Sequence, residues 1–389
     1  MKILVSGDWH IDAVKIGKVD PISDLDLRTK DFLDAIDLMI DHAISNKIEL
    51  FIMNGDLFKG RTSTHHIETL VAERFKKISD HMQLLINLGN HDYTPKQLAY
   101  GIHSYSVLEK LGVKNFKIVT DISHLVYDDV DIVVYPYYDL KRSTFENNDK
   151  LIEWVRDSVA AFTLTKPRKL FVGHGTPRGT VIGDDWYFDL DLIDEPLIPH
   201  TILEPFDMAL FSHIHRCHEV TDKIFHIGSP ERVDFSEADQ DKGFIVYDTK
   251  TNVREWFTTS PRPMGNLNID LLKISDFDDP TDLIVAEINK IPNLDQTMIK
   301  IAVECSSQTL NRINHTTLKN VLDRSFFYKP IKFDTPRIEK SRMKEVTEHL
   351  SAPEVVEKII SVRNDLSTED KSRMLLYARA IVAIDESVN

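Results

Sequence analysis

The sequence predicts an α/β protein, and three observations carry that expectation. Short apolar runs of strand length alternate with longer segments whose apolar residues recur at helical spacing. Five of the short runs end in a small residue followed at once by a carboxylate, amide or imidazole side chain. Strand and helix patterns alternate again after a break marked by Pro261, Pro263 and Gly265.

The elements follow in order. Ile3 to Val5 reads as a buried strand that ends in Gly7, with Asp8 and His10 two residues apart. Residues 12–26 show no period and read as a loop. From Asp26 to Asn46, Phe32, Leu33, Ile36, Leu38, Met39, Ile40 and Ala43 fall at helical spacing. A strand over Ile48–Met53 ends at Gly55-Asp56. A helix over about Thr64–His81 leads to the strand Gln83–Leu88, which ends at Gly89-Asn90-His91-Asp92. Strands joined by crossover helices form sheets whose ligands collect beyond the carboxyl ends of the strands. Asp8, His10, Asp56, Asn90 and His91 fall there.

Residues 96–112 read as a helix, 116–136 as short strands, and Leu151–Phe162 as a helix. Lys169–Val172 is a strand ending at Gly173-His174. After a polar, aromatic loop over Thr176–Pro199, the strand Met208–Phe211 ends at Ser212-His213-Ile214-His215. Strands near Ile224–Ile227 and Gly243–Tyr247 could form a second sheet. Beyond the break, Leu267–Lys273, Thr297–Val303 and Phe326–Phe333 read as strands, and Thr281–Lys290 and Thr309–Ser325 as helices. The last segment reads as helical. Ser351 to Glu354 and Ser367 to Asp370 fit the capping-box start signal. Val355, Val356, Ile359, Ile360 and Val362 line one helix; Met374, Tyr377, Ala378, Ile381 and Ile384 line the next.

At 389 residues, two or three domains of roughly 100–200 residues are expected. No secretory signal is evident and no apolar run approaches the ~20 residues that cross a bilayer, so no membrane partner is expected. Cys217 and Cys305 are far apart and lack metal or redox spacing, which predicts a reduced, cytoplasmic protein. The net charge of −15 argues against unaided tight binding of nucleic acid. It does not argue against phosphodiester chemistry, because divalent cations would offset part of an acidic cluster and a partner could supply basic surface.

Asp8, His10, Asp56, Asn90, His174, His213 and His215 together supply carboxylate, amide oxygen and imidazole, with no thiolate. That mixture suits Mn²⁺ or Fe²⁺ and tolerates Zn²⁺. Seven ligands exceed one tetrahedral ion and suit two divalent ions bridged by one carboxylate, for which Asp56 is the best placed. Two ions about 3.5–4 Å apart polarise a phosphoryl oxygen and activate water. His91 would give a proton or hydrogen bond to the phosphate or leaving oxygen, with Asp92 orienting it. Singly, an Asp-x-His, a His-x-His or an Asn-His-Asp is no more than a cap, a surface strand or a turn. Five strand ends of one kind make the joint reading the stronger one. His65 and His66 read as solvated, His218 and His226 as packed or surface residues, and Cys217 as structural.

Gly7-Asp-Trp-His10, Gly55-Asp-Leu-Phe58, Gly89-Asn-His-Asp92, Gly173-His174 and His213-Ile-His215 resemble the five motifs of the calcineurin-like metallophosphoesterases. More narrowly, the chain resembles the SbcD-type nuclease subunits of double-strand-break repair. The run from Ile227 to Phe244, Ile-Gly-Ser-Pro-Glu-Arg-Val-Asp-Phe-Ser-Glu-Ala-Asp-Gln-Asp-Lys-Gly-Phe, strengthens that narrower likeness. The resemblance implies a four-layer α/β/β/α sandwich over residues 1–260, a small α/β capping domain over 261–336 and C-terminal helices over 337–389. It implies one ion held by Asp8, His10, Asp56 and His215, and a second held by Asp56, Asn90, His174 and His213. His91 would be the catalytic histidine. It also implies Mn²⁺-dependent exonuclease and endonuclease action on DNA, a homodimer, and docking of the C-terminal helices on an SMC-like ATPase. Two positions depart from the family pattern. Lys59 stands where many relatives place a phosphate-contacting histidine, and a lysine there still binds phosphate as a point charge. Ser212 stands where glycine usually precedes the paired histidines. A phosphodiesterase or phosphatase acting on a small molecule is the nearest rival, although such a substrate needs neither the accessory domain nor the helical tail. A DNA-end-binding scaffold with a vestigial metal site is the rival from another class.

Overall fold

Strand β1 (Lys2–Ser6) is buried on both faces, so its alternation divides two cores: Ile3 and Val5 point one way, and Leu4 points the other. The same division runs through β2 (Leu50–Asn54) and β3 (Gln83–Asn87), with Leu50, Ile52 and Leu85 on the first side and Phe51, Met53, Leu84 and Ile86 on the second. The computed structural model describes residues 1–60, 63–98, 100–106, 108, 113–140, 144–182, 186–187, 195–335, 360, 367 and 370–376. The chain divides into two compact units, Met1–Asp334 and Thr335–Asn389.

The first unit contains two stacked six-stranded sheets. In the first, β1, β2, β3 and β4 (Phe116–Val119) run parallel. The second holds β5 (Ser123–Val126), β6 (Val130–Tyr135), β7 (Arg168–His174), β8 (Met208–Ser212), β9 (His218–Glu219) and β10 (Ile224–His226), in the order β9-β10-β8-β7-β6-β5. Strand β11 (Gly243–Asp248) returns to the first sheet, antiparallel to β1 with Ile3 opposite Tyr247, and β12 (Val253–Thr258) pairs outside it. The expected second sheet of Ile224–Ile227 with Gly243–Tyr247 is therefore corrected. Those two strands belong to different sheets, because pairing partners are chosen by long-range hydrogen bonds that local apolar runs do not encode.

Helices cover both outer faces. Helix α1 (Leu27–Ser45) starts at Asp26, whose carboxylate accepts the Arg28 amide at 2.9 Å. Helix α2 (His65–His81) starts at Thr64. Their apolar stripes, Phe32, Ile36 and Met39 with Val71, Phe75 and Ile78, pack on the outer face of the first sheet. Trp9 stacks on Phe75 there, with ring centroids 5.4 Å apart. On the far side, α3 (Asn148–Ala160) buries Leu151, Val155 and Val159 against Val133, Phe171 and Phe211. Val134, Leu170, Val172 and Leu210 face Ile3, Val5, Ile52 and Ile245 between the sheets. The layer order is α/β/β/α, as the resemblance implied.

A smaller α/β layer follows within the first unit. Strand β14 (Met298–Glu304) is flanked by β13 (Met264–Asp270) on one side and by β15 (Phe327–Tyr328) and β16 (Lys332–Asp334) on the other, all parallel. Helices α4 (Pro280–Asn289) and α5 (His315–Leu322) cover it through Ile284, Ile288, Leu318 and Leu322. Three expectations differ from the structure. Among the described residues, 96–112 holds only a four-residue helix, Pro95–Leu98, followed by turns. The expected helix Thr309–Ser325 is two helices, because the Asn314 side chain caps α5 by accepting the Thr317 amide at 3.1 Å. The last strand is two short ones around Pro330, which has no N–H to give a ladder.

In the second unit, residues 370–376 are helical, and the Ser367 hydroxyl accepts the Asp370 amide at 3.1 Å, as the capping-box reading requires. Of the two apolar stripes only Ile360 and Met374 are among the described residues; the Ser351–Glu354 start also lies outside them. No described helix is long and apolar enough to cross a membrane.

A buried charge network joins the layers of the first unit. Arg28 is fully buried and gives bonds to Asp31 and Glu231, each at 3.1 Å. Arg262 reaches the same Asp31, at 2.5 Å through both Nε and Nη2, and lies 3.5 Å over the Phe326 ring of the smaller layer. Removing one partner of such a network strands a buried charge, at a cost of about 3–5 kcal/mol. Glu231→Ala is therefore expected to lower unfolding stability by that amount in urea titration. Asp34→Ala, which breaks only the exposed pair with Lys30, is expected to cost less than about 1 kcal/mol.

Candidate metal centre

The site is built where the two sheets meet at their carboxyl ends. Asn54, the last residue of β2, donates to the Gly173 carbonyl at 2.8 Å and to Ser212 Oγ at 3.0 Å, crossing from the first sheet to the second. Asn87 at the end of β3 donates to Asn54 Oδ1 at 2.8 Å and to the Tyr135 carbonyl at 2.9 Å. Ser212 fits beside Gly7: a Cβ on Gly7 would lie 2.9 Å from the Ser212 Cβ and 2.7 Å from the Asn54 carbonyl oxygen. The glycine on one strand thus makes room for the serine on the other.

Beyond these strand ends the backbone turns sharply. Asp8, His10, Asp56 and His213 have φ of 53°, 42°, 60° and 102°, in the left-handed region that L side chains avoid. Four such residues at one place show a backbone bent to aim side chains inward.

The structure brings the seven ligand candidates together. Asp56 Oδ2 lies 3.6 Å from His10 Nε2 and 3.5 Å from His174 Nε2, so one oxygen sits between two imidazoles. His10 Nε2 faces His215 Nε2 at 3.0 Å. Asn90 Oδ1 lies 3.1 Å from His174 Nε2 and 3.0 Å from His213 Nδ1. Asp8 accepts the His213 amide, at 2.9 Å through Oδ2, and its Oδ1 lies 3.9 Å from His174 Nε2. Two groups of metal-ligating atoms result: Asp8, His10 and His215, and Asp8, Asp56 and His174. Asp8 thus stands in both, whereas the resemblance assigned it to the first ion alone.

The donor set fits cations. His174 Nδ1 faces the Asn54 carbonyl and His215 Nδ1 faces Glu237 Oε1, both at 2.8 Å. Those acceptors fix the ring protons on Nδ1, so in the neutral rings both Nε2 lone pairs point inward at oxygens and other ring nitrogens. A divalent ion satisfies such a crowd of acceptors. Without one, a proton on His174 takes its place: burial opposes that charge, but Asp56 and Asp8 push the ring up to about 9. Burial, with the neighbouring Asp56 charge, raises the Asp8 carboxyl. Burial also works against Asp56, yet His174, His10 and His91 hold it far below the usual carboxylate range.

His91 stands at the rim. Its amide donates to Asp56 Oδ1 at 2.8 Å, and its Nδ1 bonds to the Lys59 carbonyl at 2.8 Å. That bond holds the ring edge-on to His10, with centroids 5.1 Å apart, and leaves Nε2 for exchange with a ligand. Burial lowers its basicity. The expected role of Asp92 is corrected. Its carboxylate accepts the Asp56 and Gly89 amides at 2.8 Å and the Leu57 amide at 3.1 Å, so it shapes the Asp56 turn instead of steering the His91 ring. Lys59 is exposed and meets His91 through its backbone.

Two carboxylates were not found from the sequence. Glu195 Oε1 lies 3.1 Å from His213 Nε2 and accepts the Thr176 hydroxyl at 3.0 Å. Glu237 holds His215 and pairs with the fully buried Lys242 at 2.7 Å. Neither has a spacing that marks it; the run from Ile227 to Phe244 contained Glu237 without giving it a role. The other histidines follow the sequence reading. His65 is fully exposed, and His226 is buried, with its ring stacked on His218 at 4.8 Å. Burial pushes the Cys217 thiol up to about 12, in keeping with the structural reading.

Residues 1–217 match the calcineurin-like phosphoesterase family, and the chain belongs to it. With its two ligand groups, it is a metal-dependent phosphoesterase. It is 23% identical to Exonuclease subunit 1 of Enterobacteria phage T4 over 384 residues, 98% of each chain. Similar solved structures include TT1561 of Thermus thermophilus, 12% identical over 66% of this chain and 98% of that one with a TM-score of 0.38. A dimetal phosphatase from Danio rerio is 11% identical over 63% of this chain and 91% of that one, with a TM-score of 0.40.

The Glu237 contacts predict a pH dependence of stability. Burial opposes its charge, but His215 and Lys242 bring the carboxyl from an ordinary 4.5 down to about 2. A depressed carboxylate contributes stability that is complete above pH 4.5 and is lost as pH falls toward 2, here about 3 kcal/mol. Urea titrations of metal-free protein between those pH values are expected to show that loss. Glu237→Gln is expected to flatten it while lowering stability at neutral pH.

Proposed function

We propose that the chain is the nuclease subunit of an SbcCD-like DNA end-processing complex. It would hydrolyse phosphodiester bonds in DNA, with both exonuclease and endonuclease action. The observation that carries the nuclease reading is the extent of one likeness. The match to the phage exonuclease subunit runs through 98% of both chains and takes in the smaller α/β layer and the C-terminal unit, not the phosphoesterase core alone. A phosphodiesterase for small molecules has no use for those additions.

Asp8, His10, Asp56 and His215 would hold one ion, and Asp56, Asn90, His174 and His213 the other. Asp56, whose Oδ2 lies 3.6 Å from His10 and 3.5 Å from His174, would belong to both sets. When bound, two divalent ions, Mn²⁺ by the donor set and the resemblance, supply Lewis acidity toward the phosphate and activate water. His91 acts at the leaving side. With Nδ1 tied to the Lys59 carbonyl, Nε2 is the ring atom that takes and gives the proton. Burial lowers the basicity of the free ring, and an arriving phosphate raises its affinity for the proton the leaving oxygen needs. The exposed Lys59 would meet a phosphate as a point charge. The smaller α/β layer would serve as the DNA-contacting cap, and the C-terminal helices would dock on the coiled-coil base of an SMC-like ATPase. The protein would act in the cytoplasm as a homodimer.

Purified protein with Mn²⁺ is expected to release nucleotides from labelled linear duplex DNA, and EDTA is expected to abolish release. His91→Asn should lose about 10²–10⁴-fold of that rate while still binding Mn²⁺. On an aryl phosphodiester, whose leaving group needs no proton, the same substitution should cost far less. Turnover of the aryl ester with no action on DNA, alone or with an ATPase partner, would overturn the nuclease reading and leave the phosphoesterase assignment intact.

A further inference from the structure

His213 and His215 present opposite ring atoms to the site, and a carboxylate from outside the five ligand motifs stands behind each. His213 faces Asn90 through Nδ1, with Glu195 behind it at Nε2. His215 faces His10 through Nε2, with Glu237 behind it at Nδ1. A neutral imidazole has one N–H, and the acceptor that takes it decides which nitrogen keeps a lone pair for a cation. Two histidines two positions apart on a regular strand would point the same way. Here the left-handed turn at His213 separates the rings, so each needs its own acceptor.

We infer that Glu195 and Glu237 are positioning residues for different ions, Glu195 through His213 and Glu237 through His215. The inference rests on the two-ion reading above and adds a division of labour that the ligand motifs do not contain. The two carboxylates are themselves held differently. Thr176 is the hydroxyl donor to Glu195, whose side chain is 14% exposed. Glu237 is fastened by the Val233 amide at 2.9 Å and by Lys242, which also reaches the His215 carbonyl at 2.8 Å. Loss of Glu195 strands no buried cation, whereas loss of the Glu237 charge strands the buried Lys242. The decisive substitution is at Glu195.

The test is calorimetric titration of the metal-free full-length chain with Mn²⁺ alone. The wild type is expected to bind two ions. Glu195→Ala, checked for folding by circular dichroism, should weaken one of them about 10- to 100-fold and leave the other unchanged. At one equivalent of Mn²⁺ it should give the EPR signal of an isolated ion. Glu195→Gln keeps an acceptor oxygen and should restore most of the lost affinity. Glu237→Gln, checked for folding by circular dichroism, should weaken the other ion. Unchanged affinities in Glu195→Ala, or equal loss at both sites, would overturn the inference while the two-ion reading stands. A wild type that binds no Mn²⁺ would overturn both.

Discussion

The bridge made by Asn54 holds the centre together. Two sheets stacked through aliphatic side chains can slide, because apolar contact has no direction. Two amide hydrogen bonds from Asn54, to Gly173 and Ser212, fix the carboxyl end of β2 against the ends of β7 and β8. Asn87 extends the tie to β3 and β6. These side chains are fully buried, so their donors must find partners at low dielectric, and the register between the sheets follows. Ligands carried by strands of both sheets meet only because of that register.

Around this bridge the electrostatics have a simple logic. Carboxylates and imidazole lone pairs converge, and the burial of Asp8, His10, Asp56 and His174 leaves little water to soften their repulsion. The protein resolves the conflict from outside the cluster. Asn54, Glu195 and Glu237 take ring nitrogens on the far side, Asp92 gathers the amides of the Asp56 turn, and Lys242 neutralises Glu237. What is left facing inward is acceptors, which suits cations and little else.

The run from Ile227 to Phe244 ties the centre to the smaller α/β layer. Glu231 holds the buried Arg28 and takes the Arg262 amide at 3.2 Å, and Glu237 braces His215. The Phe235 carbonyl accepts Asn266 at 2.8 Å, while Phe235 and Ala238 pack on Met264 and Met298. One segment therefore supports a metal-ligand candidate and seats the neighbouring layer. That physical task explains why it carries so many fixed charged residues in a short span.

Much of this was legible in the residues alone. The ends of β1, β2 and β3 and the spans of α1 and α2 follow from apolar runs and helical spacing. These are local properties, and local energetics decide them. The residue types at the strand ends name the chemistry, because carboxylate and imidazole groups have few other reasons to close buried strands. The tertiary structure alone decided the rest. It sent β11 to the first sheet and β10 to the second, divided the expected helix at Asn314, gave His91 to the Lys59 carbonyl instead of Asp92, and put Glu195 and Glu237 behind the paired histidines. The physical reason is that a hydrogen bond between residues far apart in the chain leaves no periodicity in the sequence. Its partners are chosen when the layers pack, by which groups are left without water.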